Sequence, residues 1–112
     1  MLEKIFQAIE ENNLDFIEQN IKDIDINQKN DLGYSLLHRA SYFGNYKIIK
    51  LLLDNNANIN ILDKYNETPL HSIIDDCQGD WYDSIELLLN NNAETNTINE
   101  NGESPLLTAV IN

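Results

Sequence analysis

A chain of 112 residues with 42% hydrophobic content is long enough to bury one core and too short to divide comfortably into two domains. Its 7 Lys and Arg against 19 Asp and Glu give a formal charge of -12, which repels nucleic acid and anionic membrane surfaces and favours a neutral or basic partner. The opening MLEKIFQAIEENN carries acids and no long apolar run, so neither a secretory signal nor a membrane span is expected there; with the single cysteine, Cys77, this points to the reducing cytoplasm.

In chain order, residues 1–29 read as an N-terminal capping unit. Within them, NNLDFIEQNIKDIDIN at 12–27 parallels GNYKIIKLLLDNNANIN at 44–60 once one residue is deleted. A full unit then spans 30–62. Its GYSLLHRA at 33–40 returns as NETPLHSI at 66–73, a shift of 33, and again as GESPLLTA at 102–109, a further shift of 36. Leu51, Leu52 and Leu53 return as Leu87, Leu88 and Leu89, and NNANIN at 55–60 returns as NNAETN at 91–96, both shifted by 36. The second full unit, 63–98, therefore carries a three-residue insertion between Leu70 and Leu87, and 99–112 is a partial last unit.

Each unit reads as a turn followed by two helices. Gly33, Asn66 and Gly102 stand at equivalent turn positions and accept a left-handed backbone. Ser35, Thr68 and Ser104 follow as N-caps, with Pro69 and Pro105 at the first helical position of the later two units. The second helices, YKIIKLLLD and YDSIELLLN, gather their apolar residues on one broad face and close on Asn55 with Asn56 and Asn91 with Asn92. A lone pair of helices cannot bury such a face, so neighbouring units must stack.

TPLH at 68–71, SLLH at 35–38 and NANIN at 56–60 closely resemble the ankyrin repeat, over nearly the whole chain. The resemblance implies an all-α ankyrin-repeat solenoid of stacked helix-turn-helix units with short β-turn or hairpin connections. A tetratricopeptide pattern lacks support, because its Trp, Gly and Tyr signature is missing. Leu36 replaces the usual proline, Leu107 the histidine, and Asn56 and Asn92 the glycine.

Residues that could carry chemistry are few. For His38 and His71 the resemblance implies imidazoles that hydrogen-bond locally and hold each turn against its neighbour. Cys77 follows His71 by six residues, the one pairing from which an enzyme could be built, but Asp75, Asp76 and Asp80 disfavour its thiolate. Two histidines and one cysteine are too few for a zinc site, and the acids between 75 and 83 lack the glycine and terminal Glu of a calcium loop. No enzyme, metal or cofactor is expected.

What remains is recognition of another protein. The resemblance implies a concave groove of turn tips and first-helix faces, presenting Leu32, Tyr34, Tyr42 and Phe43 from the first full unit. The second presents Lys64, Tyr65, Glu67, Asp75 and Asp76, and the partial unit Glu100, Asn101 and Glu103. Tyr34, Tyr42, Phe43 and Tyr65 are candidate anchors or, alternatively, covers for the neighbouring repeat. The insertion DDCQGDWYD at 75–83, read as a lengthened loop, adds Trp81 and Tyr82, with Trp81 either meeting a partner or plugging the stack. From Tyr65 onward there are nine acids and no base, which favours a basic partner and fits an inhibitor or immunity-type protein. The rival reading is a self-associating structural or adaptor protein. Leu106, Leu107, Ala109, Val110 and Ile111 form a short apolar helix that a second copy, as a homodimer, or the partner is expected to cover.

Overall fold

The structure is a computed structural model describing residues 1–76 and 81–105, with side chains left out at 74–76 and Trp81. Cys77 and the apolar segment from Leu106 to Ile111, with the self-association expected of it, thus lie outside the described residues. The helices are α1 (Leu2–Glu10), α2 (Leu14–Asn20), α3 (Leu36–Phe43), α4 (Tyr46–Asp54), α5 (Pro69–Asp76) and α6 (Trp81–Asn90), with a 3-10 turn over Ile21–Asp23. The first helices α1, α3 and α5 pack in one layer, and the second helices α2, α4 and α6 in another. Among the described residues an isolated antiparallel bridge, Lys29 to Ser35, is the extended pairing. This is the all-α stack that the spacing predicts.

The apolar rows explain the layering. Ile5 and Ile9 on α1, Leu36 and Ala40 on α3, Ile48 and Leu52 on α4 stand four residues apart and are all buried. With Ile17, Leu70, Ile73 and Leu88 they make one continuous core running through every helix pair. Each buried Leu or Ile is worth about 1.5–3 kcal/mol, and because the core is shared between pairs that gain exists only when they stack.

The helix ends follow from local chemistry. Ser35 caps α3: its Oγ accepts from the His38 N–H at 3.1 Å, while His38 Nδ1 accepts from the Ser35 N–H at 3.3 Å. Asn13 caps α2 through Phe16 N–H at 3.2 Å. At the C-termini, the side-chain amides of Asn20, Asn55 and Asn91 donate to the carbonyls of Phe16, Leu51 and Leu87 at 2.8, 2.9 and 2.8 Å. Asn56 and Asn92 then take left-handed φ values of 70° and 67°, in the place of the usual glycine.

One expectation needs correcting. The stretch 75–83 is not a loop throughout: Asp75 and Asp76 end α5 and Trp81 begins α6, while Tyr82 and Asp83 are helical as the reading of YDSIELLLN as a second helix has them. α5 keeps the length of α3, 8 residues, whereas α6 has 10 against the 9 of α4, so part of the insertion is absorbed as helix. Asp83 in the first turn suits the positive end of the helix dipole and helps α6 start early. Among the described residues no helix is long and apolar enough to cross a membrane.

Candidate partner-binding groove

Three turns of one design lie along the edge of the first-helix layer. Asn30 Oδ1 accepts from the N–H groups of Leu32 and Tyr34 at 3.0 Å each, and Asp63 Oδ1 from those of Tyr65 and Glu67 at 2.8 and 2.9 Å. Asn99 Oδ1 repeats this with Asn101 and Glu103 at 3.0 and 2.9 Å. Gly33, Asn66 and Gly102 supply the left-handed residue of each turn, with φ of 84°, 61° and 78°. The sequence reading found these three positions and passed over the Asx residue three places before each, although it recurs with the same shifts.

The histidines lock each turn to the next. His38 donates from Nε2 to the Glu67 carbonyl at 2.8 Å, and His71 from Nε2 to the Glu103 carbonyl at 3.0 Å. Nδ1 of each ring accepts from the N–H of its own cap, Ser35 or Thr68, so both nitrogens are engaged and the tautomer is set. His38 is fully buried, and that burial holds its imidazole below the usual pKa. This is the local, turn-holding role expected of both histidines. Among the described residues no group of three His, Cys, Asp or Glu could hold a metal ion.

Tyr34, Tyr42 and Phe43 come together around a residue the sequence reading omitted. The Arg39 guanidinium lies 5.8, 4.8 and 5.0 Å from their ring centroids, and Tyr42 meets Phe43 edge-on at 5.1 Å. Arg39 also pairs with Glu10 at 3.7 Å. Tyr42 and Phe43 stand three and four residues beyond Arg39 on α3, so helical spacing carried the signal. Phe43 is half-buried against the core. A hollow of ≈ 280 Å³ beside the cluster is lined by Tyr34, His38, Arg39, Tyr42, Glu67 and Ser72.

The remaining candidates divide. Leu32, Tyr65 and Glu100 are exposed at turn tips, and Lys64 lies over the Tyr65 ring at 5.1 Å. Glu67 and Glu103, from successive turns, meet at one side chain: Asn99 Nδ2 donates to Glu67 Oε2 at 2.9 Å and to Glu103 Oε1 at 3.2 Å. Tyr82 is exposed on α6, in the second-helix layer, and is not brought to this edge. The side chains of Asp75, Asp76 and Trp81 lie outside the described residues.

Residues 5–99 match the family described as Ankyrin repeats (3 copies). Over 59 residues the chain is 39% identical to the RelA-associated inhibitor of Mus musculus, which covers 52% of this chain and 7% of that protein. Over 50 residues it is 44% identical to an ankyrin repeat protein, FPV230, of Fowlpox virus (strain NVSL), covering 45% of this chain and 27% of that one. The chain thus spans under a third of either relative's own length.

Proposed function

The chain belongs to the ankyrin repeat family, whose repeats are protein–protein interaction modules, and from that premise we propose that it holds a basic partner protein as an inhibitor or immunity-type protein in the cytoplasm. The contact face is the edge of turn tips and first helices, with Tyr34, Tyr42 and Tyr65 as anchors and Glu67, Glu100 and Glu103 as charge. The observation that carries this reading is the pinning of Glu67 and Glu103 by the Asn99 amide. Two like charges held side by side attract a cation, and because they are already ordered, little rotamer entropy is lost on binding. The engagement of both nitrogens of His38 and His71 supports a role without catalysis. The inhibitor form draws on the name of the mouse relative, whose shared stretch supplies the same kind of repeat.

Capture of stoichiometric partners from the native host, identified by mass spectrometry, followed by binding with the purified partner, tests the proposal. A basic partner whose association slows in Glu67→Gln and Glu103→Gln is the expected result. An acidic partner, or one indifferent to both changes, would overturn it.

A further inference from the structure

The three turns differ at one atom. Asn30, Asp63 and Asn99 all use Oδ1 to accept two backbone N–H groups, so the second terminal atom of each side chain occupies an equivalent place. In the third turn that atom is Asn99 Nδ2, which donates to Glu67 of the preceding turn and Glu103 of its own. In the second turn it is a carboxylate oxygen, Asp63 Oδ2. Asp63 is 5% exposed, and this oxygen is buried without a hydrogen-bond partner. By analogy with Asn99 it would face Tyr34 of the preceding turn and Glu67 of its own, the two residues that stand where Glu67 and Glu103 stand one unit later. The Tyr34 hydroxyl pKa is raised first by its own burial and then by the Asp63 charge, which places the two groups near each other.

A buried carboxylate oxygen left unpaired is unfavourable, and asparagine, which the chain uses in the other two turns, would relieve it. We propose that Asp63 is the base of a cation subsite, in which an arginine side chain of the partner enters between Tyr34 and Glu67 and donates to Asp63 Oδ2 and the Glu67 carboxylate. The inference rests on the basic-partner reading and names the group recognised. A guanidinium fits the arrangement because its planar fork reaches two carboxylates at once and its face stacks on an aromatic ring. Among the described residues no three His, Cys, Asp or Glu side chains converge as a metal site would require. Arg39, seated over Tyr34 at 5.8 Å, demonstrates that this ring accepts a guanidinium beside it. The hollow of ≈ 280 Å³ lined by Tyr34 and Glu67 is the side of approach; Asp63 is not among its lining residues, so the half-buried Tyr34 ring must turn aside for a guest to reach Oδ2.

The test is Asp63→Asn, with Glu86→Gln, an exposed acid on α6, as a control of equal charge change. The probe is the dipeptide Ac-Arg-Arg-NH2, followed by backbone amide NMR beside thermal melting. Asp63→Asn is expected to melt higher than the parent, since its new amide can donate to Glu67, and to bind the probe about tenfold more weakly. The Tyr65 and Glu67 amides, which donate to Asp63 Oδ1, should shift in the parent and stay still in the variant. Glu86→Gln should bind within about twofold of the parent, and the lysine analogue Ac-Lys-Lys-NH2 more weakly than the arginine peptide. Asp63→Asn binding like the control would overturn the subsite, as would equal binding of the lysine peptide. Shifts confined to Asn101 and Glu103 would overturn it while leaving the acidic groove standing; no shift anywhere would count against both.

Discussion

At the scale of single residues, His38 sets a limit on the pH range of the fold. Its Nδ1 accepts from the Ser35 N–H and its Nε2 donates to the Glu67 carbonyl, so a second proton has no place without breaking the cap. Burial is the main cause that holds its pKa below 6.5, the ordinary value that the unfolded chain retains. As pH falls through about 6.5 the unfolded state therefore takes up the proton first, and stability declines until the folded pKa is reached; above that window this contribution is complete and flat. Urea melts at pH 7.5 and 5.5 should show this decline in the parent, and His38→Ala should show less of it. His71→Ala should lower stability by about 1–3 kcal/mol by leaving the Glu103 carbonyl without its donor, while partner affinity per folded molecule hardly changes. A large affinity loss at unchanged melting would give His71 a binding role instead. The histidines were legible because they recur with their caps. Asp63 was not, because its orphan oxygen is defined by the neighbouring turn, and neither composition nor spacing records which of two oxygens is left bare.

At the scale of elements, the turns make a comparison within one molecule. Gly33 and Gly102 share the left-handed φ, at 84° and 78°, yet a Cβ at Gly33 would lie 3.0 Å from Lys64 Cβ and 3.4 Å from its backbone nitrogen, whereas one at Gly102 meets nothing within 4 Å. Both changes to alanine carry the left-handed penalty of about 1–2 kcal/mol. Gly33→Ala adds the displacement of Lys64, which belongs to the next turn and cannot yield at its backbone. It should therefore melt below Gly102→Ala in calorimetry; equal melting would show that successive turns do not constrain each other. Caps, left-handed positions and second helices were readable because Ser35, Asn56 and Asn92 signal a helix start or end by their own chemistry. The end of α5 and the start of α6 were not, since a shift of 36 in place of 33 states only how many residues are added. Where the helix ends depends on hydrogen bonds that acidic residues such as Asp83 neither forbid nor demand.

At the scale of the whole molecule, the period made the two-layer stack legible, because helices that recur every 33 to 36 residues must pack like on like. The partner was not legible to the same degree, since outward side chains at the turn tips are free of the packing that fixes the core. Charge is the one global property that does carry over. Every Lys and Arg lies at or before Lys64, and the ion pairs of Arg39 with Glu10 and of Lys50 with Asp54 both lie in the earlier half. With nine acids and no Lys or Arg from Tyr65 onward, the later half sets a negative field for an approaching molecule, and a field acts mainly on encounter. Raising salt from about 50 mM to about 500 mM shortens screening from beyond about 10 Å to a few ångströms, so association with a basic partner should slow by about tenfold or more. Dissociation should change much less, because groups already in contact, such as a guest held by Glu67 and Glu103, sit inside the screening length. Stopped-flow mixing across that range separates the two rates. A rate of association independent of salt would mean that the net charge of -12 serves only to keep the chain in solution and plays no part in choosing what it binds.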